Sequence, residues 1–249
     1  MRLIHALIFF YLLIIIIIFR KYTQYDNYKN EPYITVVSRG GLNNRIRVLL
    51  SYFYKANIEN KKLKVIWIKD SECPDEYDNL FEPIKDVLVI NQREDNIDFE
   101  TWNADNNIYT TEKYLKLLVP ILSIRNTIDE YKEKLNNNYI ACHIRRTDIV
   151  MHEGQVWYKP KTDQEYMEFI DSYDNNLKIY IATDNKDTQD VFIKKYGDRL
   201  VMKKIVPSNE LRQTSIQDAV VDMYICVGAK YFIGSIGSSF TDSILYMRD

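Results

Sequence analysis

The chain reads as an α/β protein built on parallel sheets, and three observations point there. Apolar runs such as Tyr33-Ile-Thr-Val-Val-Ser38 and Tyr139-Ile-Ala-Cys-His-Ile144 lack clean alternation, as strands covered on both faces do. Stretches with apolar residues at helical spacing, such as Asn43 to Ala56, lie between such runs. Strand and helix then alternate along most of the chain, the pattern of βαβ crossovers.

Taken in order, Tyr33–Ser38 predicts a strand, Gly40-Gly41 a turn, and Asn43 to Ala56 a helix. Leu63 to Ile68 predicts a second strand, Tyr77 to Phe81 a short helix, and Val87 to Ile90 a third strand. Asn91 to Asn107 is polar and reads as a loop. Helices are expected over Glu112 to Leu118 and Arg125 to Leu135, and Asn136-Asn137-Asn138 breaks the pattern. After the break come strand Tyr139 to Ile144, helix Gln164 to Tyr173, strand Lys178 to Thr183, helix Lys186 to Tyr196 and strand Leu200 to Ile205. Helix Ser215 to Val227, strand Tyr231 to Gly234 and helix Ser239 to Met247 close the chain. The asparagine break divides it into two α/β halves, 33–136 and 137–249.

A chain of 249 residues with 46% hydrophobic content can bury a sizeable core. Its net charge of −2, without a basic tract, argues against nucleic acid as a partner. Cys73, Cys142 and Cys226 form no CxxC pair, and the latter two sit inside apolar runs, so core thiols are expected. Leu3 to Phe19 is apolar apart from His5 and Tyr11. That length is at the short end of the roughly 17–25 residues needed to span a bilayer. The bulky residues after Lys21 do not suit a signal-peptidase site. Residues 1–21 are therefore expected to form an uncleaved single-pass anchor, with 22–32 as a stem. Positive charge on both flanks leaves its orientation open.

The most informative stretch is Tyr139 to Asp148, an apolar strand ending in His143, Arg145, Arg146 and Asp148. Ligands of open α/β sheets bind outside the carboxyl ends of the strands. Two guanidiniums delivered to that edge, Arg145 and Arg146, are expected to hold a doubly anionic group, since the planar fork makes bidentate bonds to phosphate. Ser38-Arg-Gly-Gly-Leu-Asn-Asn-Arg45 joins a strand to a helix: Gly40 and Gly41 permit a tight turn, and Asn44 and Arg45 project near a helix start that attracts anions. Neither Walker nor GxGxxG spacing is present. Asp184 ends another strand, where it either caps the following helix or holds the arginine loop. Asp218 and Asp222 share one helix face, suited either to solvent or to the N–H pair of a guanine. Ser235, Ser238 and Ser239 bring hydroxyls and a helix start to a fourth strand end, for phosphate or for capping. Glu153, in the loop after the arginines, is a candidate general base. No second His or Cys completes a metal site around His143, and Asp70-Ser-Glu72 matches a metal-binding DxD only distantly.

In order and spacing, four of these segments resemble the fucosyltransferase superfamily of the alpha-1,6-fucosyltransferases, the bacterial NodZ-type enzymes and the protein O-fucosyltransferases. His143-Ile-Arg-Arg-Thr-Asp148 resembles the HxRRTD segment of the alpha-1,6 enzymes, and Gly40 to Arg45 the Gly-Gly-x-x-Asn loop of the O-fucosyltransferases. Ile181 to Asp184 is similar to the second motif, and Asp222 with Ala229 to Phe240 to the third, which holds Ser-Ser-Phe. The resemblance implies a GT-B-like fold of two Rossmann-like halves, GDP-fucose as donor, no metal or other cofactor, and a glycan or protein acceptor. It implies that Arg145 binds the β-phosphate, that His143 and Asp222 contact guanine, and that Ser238 and Ser239 bind phosphate. Gly41 and Asn44 would close over the diphosphate from the other half, and Glu153 would be the base. With the anchor, it implies a membrane-held catalytic domain of the Golgi or ER lumenal type. Ile149 stands where the alpha-1,6 enzymes have Lys, so a Lys–Glu relay is missing. Transfer from another GDP-sugar, an inactive GDP-sugar-binding membrane protein, and a metal-dependent transferase using Asp70 and Glu72 are the alternatives.

Overall fold

The computed structural model describes residues 32–103, 112–146, 159–205 and 214–248, and everything below concerns these. Among them are two parallel sheets. The first has the order β3-β2-β1-β4, from β1 (Tyr33–Ser38), β2 (Lys62–Ile66), β3 (Val87–Ile90) and β4 (Phe99–Thr101). The second has the order β6-β5-β7, from β5 (Tyr139–Ile144), β6 (Lys178–Thr183) and β7 (Tyr231–Ile233). Each pairing within them is parallel. The helices are α1 (Leu42–Ile58), α2 (Glu112–Leu115), α3 (Leu122–Lys134), α4 (Asp163–Asp171), α5 (Lys186–Tyr196), α6 (Ile216–Gly228) and α7 (Ser239–Arg248). The mixed α/β fold with parallel sheets expected from the sequence is what forms.

Burial explains why these segments became strands. All six residues of β5 are buried, as are the last five of β1 and of β6. One apolar cluster runs from β1, β2 and α1 through α3 and α6 to Ala141 and Tyr180. A second fills the other face of β5 and β6 with Ile140, Ile144, Tyr166, Ile179 and Phe192. Cys73, Cys142 and Cys226 are buried thiols, and burial pushes the last two well above the usual range.

Two expectations need correction. The polar stretch Asn91 to Asn107 contains β4, which pairs with β1 from Val36↔Phe99 to Ser38↔Thr101. Its signal was weak because the strand is short and carries Glu100. What holds it is tertiary: Asp98 Oδ2 accepts from Thr35 N–H at 2.8 Å, and Phe99 packs against Tyr52 at 4.9 Å. Conversely, Leu200 to Ile205 does not extend the second sheet. It touches β6 through an isolated bridge, Ile179↔Leu200, and then leaves. The buried Gln189 takes over the pairing, donating to the Lys203 carbonyl at 2.8 Å and accepting from Ile205 N–H at 2.9 Å. A side-chain amide thus satisfies the backbone groups that a strand partner would have.

The expected anchor, 1–21, lies outside the described residues, as does the stem apart from Pro32. Among the described residues no helix is long and apolar enough to cross a membrane.

Candidate active site

The carboxyl ends of both sheets open onto one cleft of about 290 Å³. One wall comes from the turn before α1 and the start of that helix, the other from the ends of β5 and β6 and the starts of α6 and α7.

On the first wall, Gly40 adopts φ +82°, which only glycine takes without strain, and an added Cβ would meet Asn44 Nδ2 at 2.8 Å. The chain then enters α1 at Gly41 with no side-chain cap and no acid in the first turn. A helix start without a side-chain cap leaves N–H groups of the kind that suit an anion. Gly41, Asn43 and Asn44 line the cleft, whereas Gly40 sets the turn behind them. Arg45 turns away. Fully buried, it donates to the carbonyls of Gly40 at 2.7 Å and Ile68 at 2.6 Å and to Asp70 at 2.6 Å. The expectation that Arg45 holds an anionic ligand does not match this geometry. Its guanidinium carbon lies 5.4 Å from the centre of the Trp67 ring, and these buried partners hold the side chain inward. Asp70 is committed too: Oδ2 pairs with Arg45, and Oδ1 accepts from Glu72 and Cys73 N–H at 3.0 Å each. Glu72 lines the cleft.

On the opposite wall, β5 delivers its end residues in a clamp. Ser235 Oγ accepts from Arg145 N–H at 2.9 Å and donates to the His143 carbonyl at 3.2 Å, with Tyr166 Oη 3.0 Å away. Arg145 lines the cleft. Arg146 does not: it donates to the Lys161 carbonyl at 2.8 Å and to Asp163 at 2.6 Å, bracing the start of α4. Consecutive residues leaving a strand point in opposite directions, so of the two arginines expected at an anionic ligand only Arg145 faces the cleft. Asp184 accepts from Arg146 N–H at 3.1 Å and also lines the cleft, while Asn185 caps α5 by accepting from Thr188 N–H at 2.8 Å. Of the two readings open for Asp184, the loop-holding one matches the geometry.

His143 sits 2.8 Å from Thr241 Oγ1 through Nδ1 and packs on Phe240 at 4.7 Å. Burial, helped by the nearby Arg145 charge, pushes it down to about 3, so the ring is neutral. Asp222 faces the cleft from α6 and is pushed up to about 7 by burial, against a hydrogen bond from Tyr180. Asp218 is structural: it completes a capping box with Ser215 and pairs with Lys203 at 2.6 Å. At the start of α7, Ser239 lines the cleft, and the fully buried Ser238 Oγ has no hydrogen-bond partner among the described residues. A hydroxyl buried without a partner carries a desolvation cost that a ligand oxygen would remove.

Asp148 and Glu153 lie outside the described residues. The sequence reading overlooked Asn43, Thr214, Tyr180, Phe240 and Thr241. Asn43 lines the cleft with a buried Oδ1 that has no partner among the described residues. Its signal was available, since it stands beside Asn44 in the first turn of α1. Among the described residues no group of three or more His, Cys, Asp or Glu is placed to hold a metal ion.

A family model described as GDP-fucose protein O-fucosyltransferase matches residues 51–249. GDP-fucose protein O-fucosyltransferase 2 of Plasmodium berghei is 26% identical over 165 residues, 66% of this chain and 34% of that protein. The corresponding protein of Caenorhabditis elegans is 31% identical over 113 residues, 45% of this chain and 26% of that one. This chain thus spans about a third or less of the length of these curated relatives. Among solved structures, NodZ alpha-1,6-fucosyltransferase soaked with GDP-fucose superposes with a TM-score of 0.61 at 18% identity, covering 88% of this chain and 93% of that one. POFUT1 in complex with GDP-fucose gives a TM-score of 0.60 at 12% identity, covering 88% and 94%. At such identities the likeness concerns the fold.

Proposed function

Since the chain belongs to the GDP-fucose protein O-fucosyltransferase family, we propose that it transfers fucose from GDP-fucose to a protein or glycan hydroxyl. The observation that carries this reading is the cleft itself. It places Arg145, the uncapped start of α1 at Gly41 and Ser239 at the start of α7 around one space between two sheet ends. Such a set suits a diphosphate.

The reaction is a single displacement with inversion at the sugar C1. The acceptor oxygen bonds to C1 as the bond from C1 to the β-phosphate oxygen breaks, and that electron pair leaves with GDP. The difficulty is charge building on the departing diphosphate. Arg145 and the helix-start N–H groups are held before the reaction begins, the electrostatic route to rate. The neutral His143 and the Asp222 carboxylate serve the guanine end, and Asp184 keeps the arginine loop in place through Arg146 N–H. By family resemblance Glu153 takes the proton of the acceptor hydroxyl, and Asp148 belongs to the same loop. The reaction runs without metal. In this reading residues 33–136 and 137–249 are the two Rossmann-like halves of a GT-B arrangement. Residues 1–21 anchor the protein in a membrane of the ER or Golgi, with the catalytic part lumenal.

The test follows GDP release from GDP-fucose, GDP-mannose and UDP-sugars in EDTA, with and without a pooled peptide and glycan acceptor library. Acceptor-stimulated release from GDP-fucose alone is expected. Release from a different GDP-sugar moves the donor assignment, and activity abolished by EDTA overturns metal independence. Thermal stabilisation by GDP without release from any donor would make the protein a binder rather than an enzyme.

A further inference from the structure

Tyr180 is out of character with its surroundings. It lies in the middle of β6, 1% exposed, in the apolar cluster beneath the cleft, with the Tyr131 ring edge-on at 5.9 Å. A phenyl ring would fill the same space. The hydroxyl is tolerable there only with a partner, because a buried donor left unpaired forfeits its hydration. That partner is Asp222 Oδ1, at 2.5 Å, from a residue 42 positions away on α6.

Asp222 lines the main cleft and also a second cavity of about 170 Å³ behind it, bounded by Thr183, Gln189, Lys203 and Ile205. Its carboxylate thus stands at the junction of the two spaces. One oxygen is taken by Tyr180, which leaves the other for a ligand donor. We propose that Tyr180 is a positioning residue for nucleobase recognition, its buried hydroxyl fixing the Asp222 carboxylate as the acceptor for the N–H groups of the donor's guanine. This rests on the reading of the cleft as a GDP-sugar site and deepens it.

The electrostatics agree with the geometry. Asp222 is faced by Asp218 from its own helix and by Lys203 from the segment after α5. Tyr180 is faced by Cys226 of α6 and Tyr131 of α3 as well as by Asp222. Burial raises the Asp222 carboxyl to about 7, and the Tyr180 bond is the largest influence opposing that rise. Removing the hydroxyl therefore drives the carboxyl further toward its neutral form, which is the wrong partner for two N–H donors. Burial holds the Tyr180 hydroxyl protonated, so it remains a donor throughout the useful pH range.

The experiment measures binding of GDP and of inosine diphosphate, which lacks the exocyclic amino group, between about pH 5.5 and 8.5. It uses the full chain and the variants Tyr180→Phe, Asp222→Asn and the double variant. For the unaltered protein, GDP affinity should rise with pH through about 7 as Asp222 ionises. Tyr180→Phe should weaken GDP roughly tenfold at neutral pH, move the midpoint upward and shrink the preference for GDP over inosine diphosphate. In the Asp222→Asn background the same change should have no further effect, since the group it positions is gone. Unchanged GDP affinity, midpoint and base preference in Tyr180→Phe, with Asp222→Asn impaired, overturns the positioning role alone. Additive losses in the double variant also overturn it. If Asp222→Asn binds GDP as the unaltered protein does, or the unaltered protein does not bind GDP, the site reading beneath the proposal falls instead.

Discussion

Arg45 on one wall of the cleft and Arg145 on the other both follow a parallel strand, and both stand among residues suited to anions. Arg45 is enclosed, with Gly40, Ile68 and Asp70 taking its donors, and it maintains the glycine turn. Arg145 lines the cleft, and its backbone N–H donates to Ser235 Oγ at 2.9 Å. The difference teaches that a guanidinium near a strand end serves whichever acceptors the packing offers first. Where buried carbonyls lie within reach the arginine becomes structure; where small hydroxyl residues such as Ser235 and Ser239 stand at the strand end, it borders the cleft.

Removing each arginine is the sharpest way to break that comparison. Arg145→Ala should lower transfer by about 10²–10³-fold, the usual cost of losing one preorganised donor to developing charge, with an unchanged denaturation midpoint. Arg45→Met should do the reverse, costing about 3 kcal/mol of stability in a denaturant titration because a buried network loses its centre. The partial exposure of Asp70, 31%, keeps that figure at the lower end. If Arg145→Ala unfolds the protein, or Arg45→Met spares it, the division of labour between the walls is wrong.

A gentler probe uses pH. His143 is held neutral at about 3, so the unfolded chain binds a proton below about 6.5 that the folded one refuses. Its stabilising neutrality is complete above that pH and is lost progressively as pH falls. Asp222, raised to about 7, slopes the other way: stability declines as pH rises from the ordinary carboxylate range through 7. Between pH 6.5 and 5, His143→Gln should therefore lose about 1–2 kcal/mol less than the unaltered protein, read from urea midpoints. Parallel curves would remove the buried neutral histidine from the account.

Smaller effects refine the first wall. Gly40→Ala should cost about 1–2 kcal/mol, since φ +82° disfavours an L side chain and the new Cβ presses on Asn44. It should also raise the KM for donor by shifting Asn44. Arg93→Ala, which removes one of the exposed partners of Glu100, should leave the thermal midpoint within error.

Much of the cleft lining was legible before the structure because polar residues cluster where strands end. A run of apolar residues followed by a polar tetrad tells where a strand meets solvent, and parallel sheets bind there. Orientation was not legible. Arg145 and Arg146 are adjacent and chemically identical, and only the strand pleat and the position of Asp163 separate their roles. Asp218 and Asp222 share a helix face, yet one completes a cap with Ser215 while the other meets Tyr180. β4 was missed because what stabilises it is Asp98 on Thr35 and Phe99 on Tyr52, contacts that no local window contains.

The amino-acid sequence by itself determined the alternation of strands and helices, the parallel character of the sheets and the chain positions of the cleft-facing turns. These depend on near neighbours: apolar periodicity, glycine turns and helix starts. Only the tertiary structure decided which of the polar groups in those turns face the cleft. His143 finds Thr241 at a separation of 98 residues and Tyr180 finds Asp222 at 42, so the ionisation and aim of each depend on elements far away in the chain. The physical reason is that apolar burial is set by local pattern, whereas a buried polar atom takes its role from whatever partner the finished packing brings within hydrogen-bonding distance.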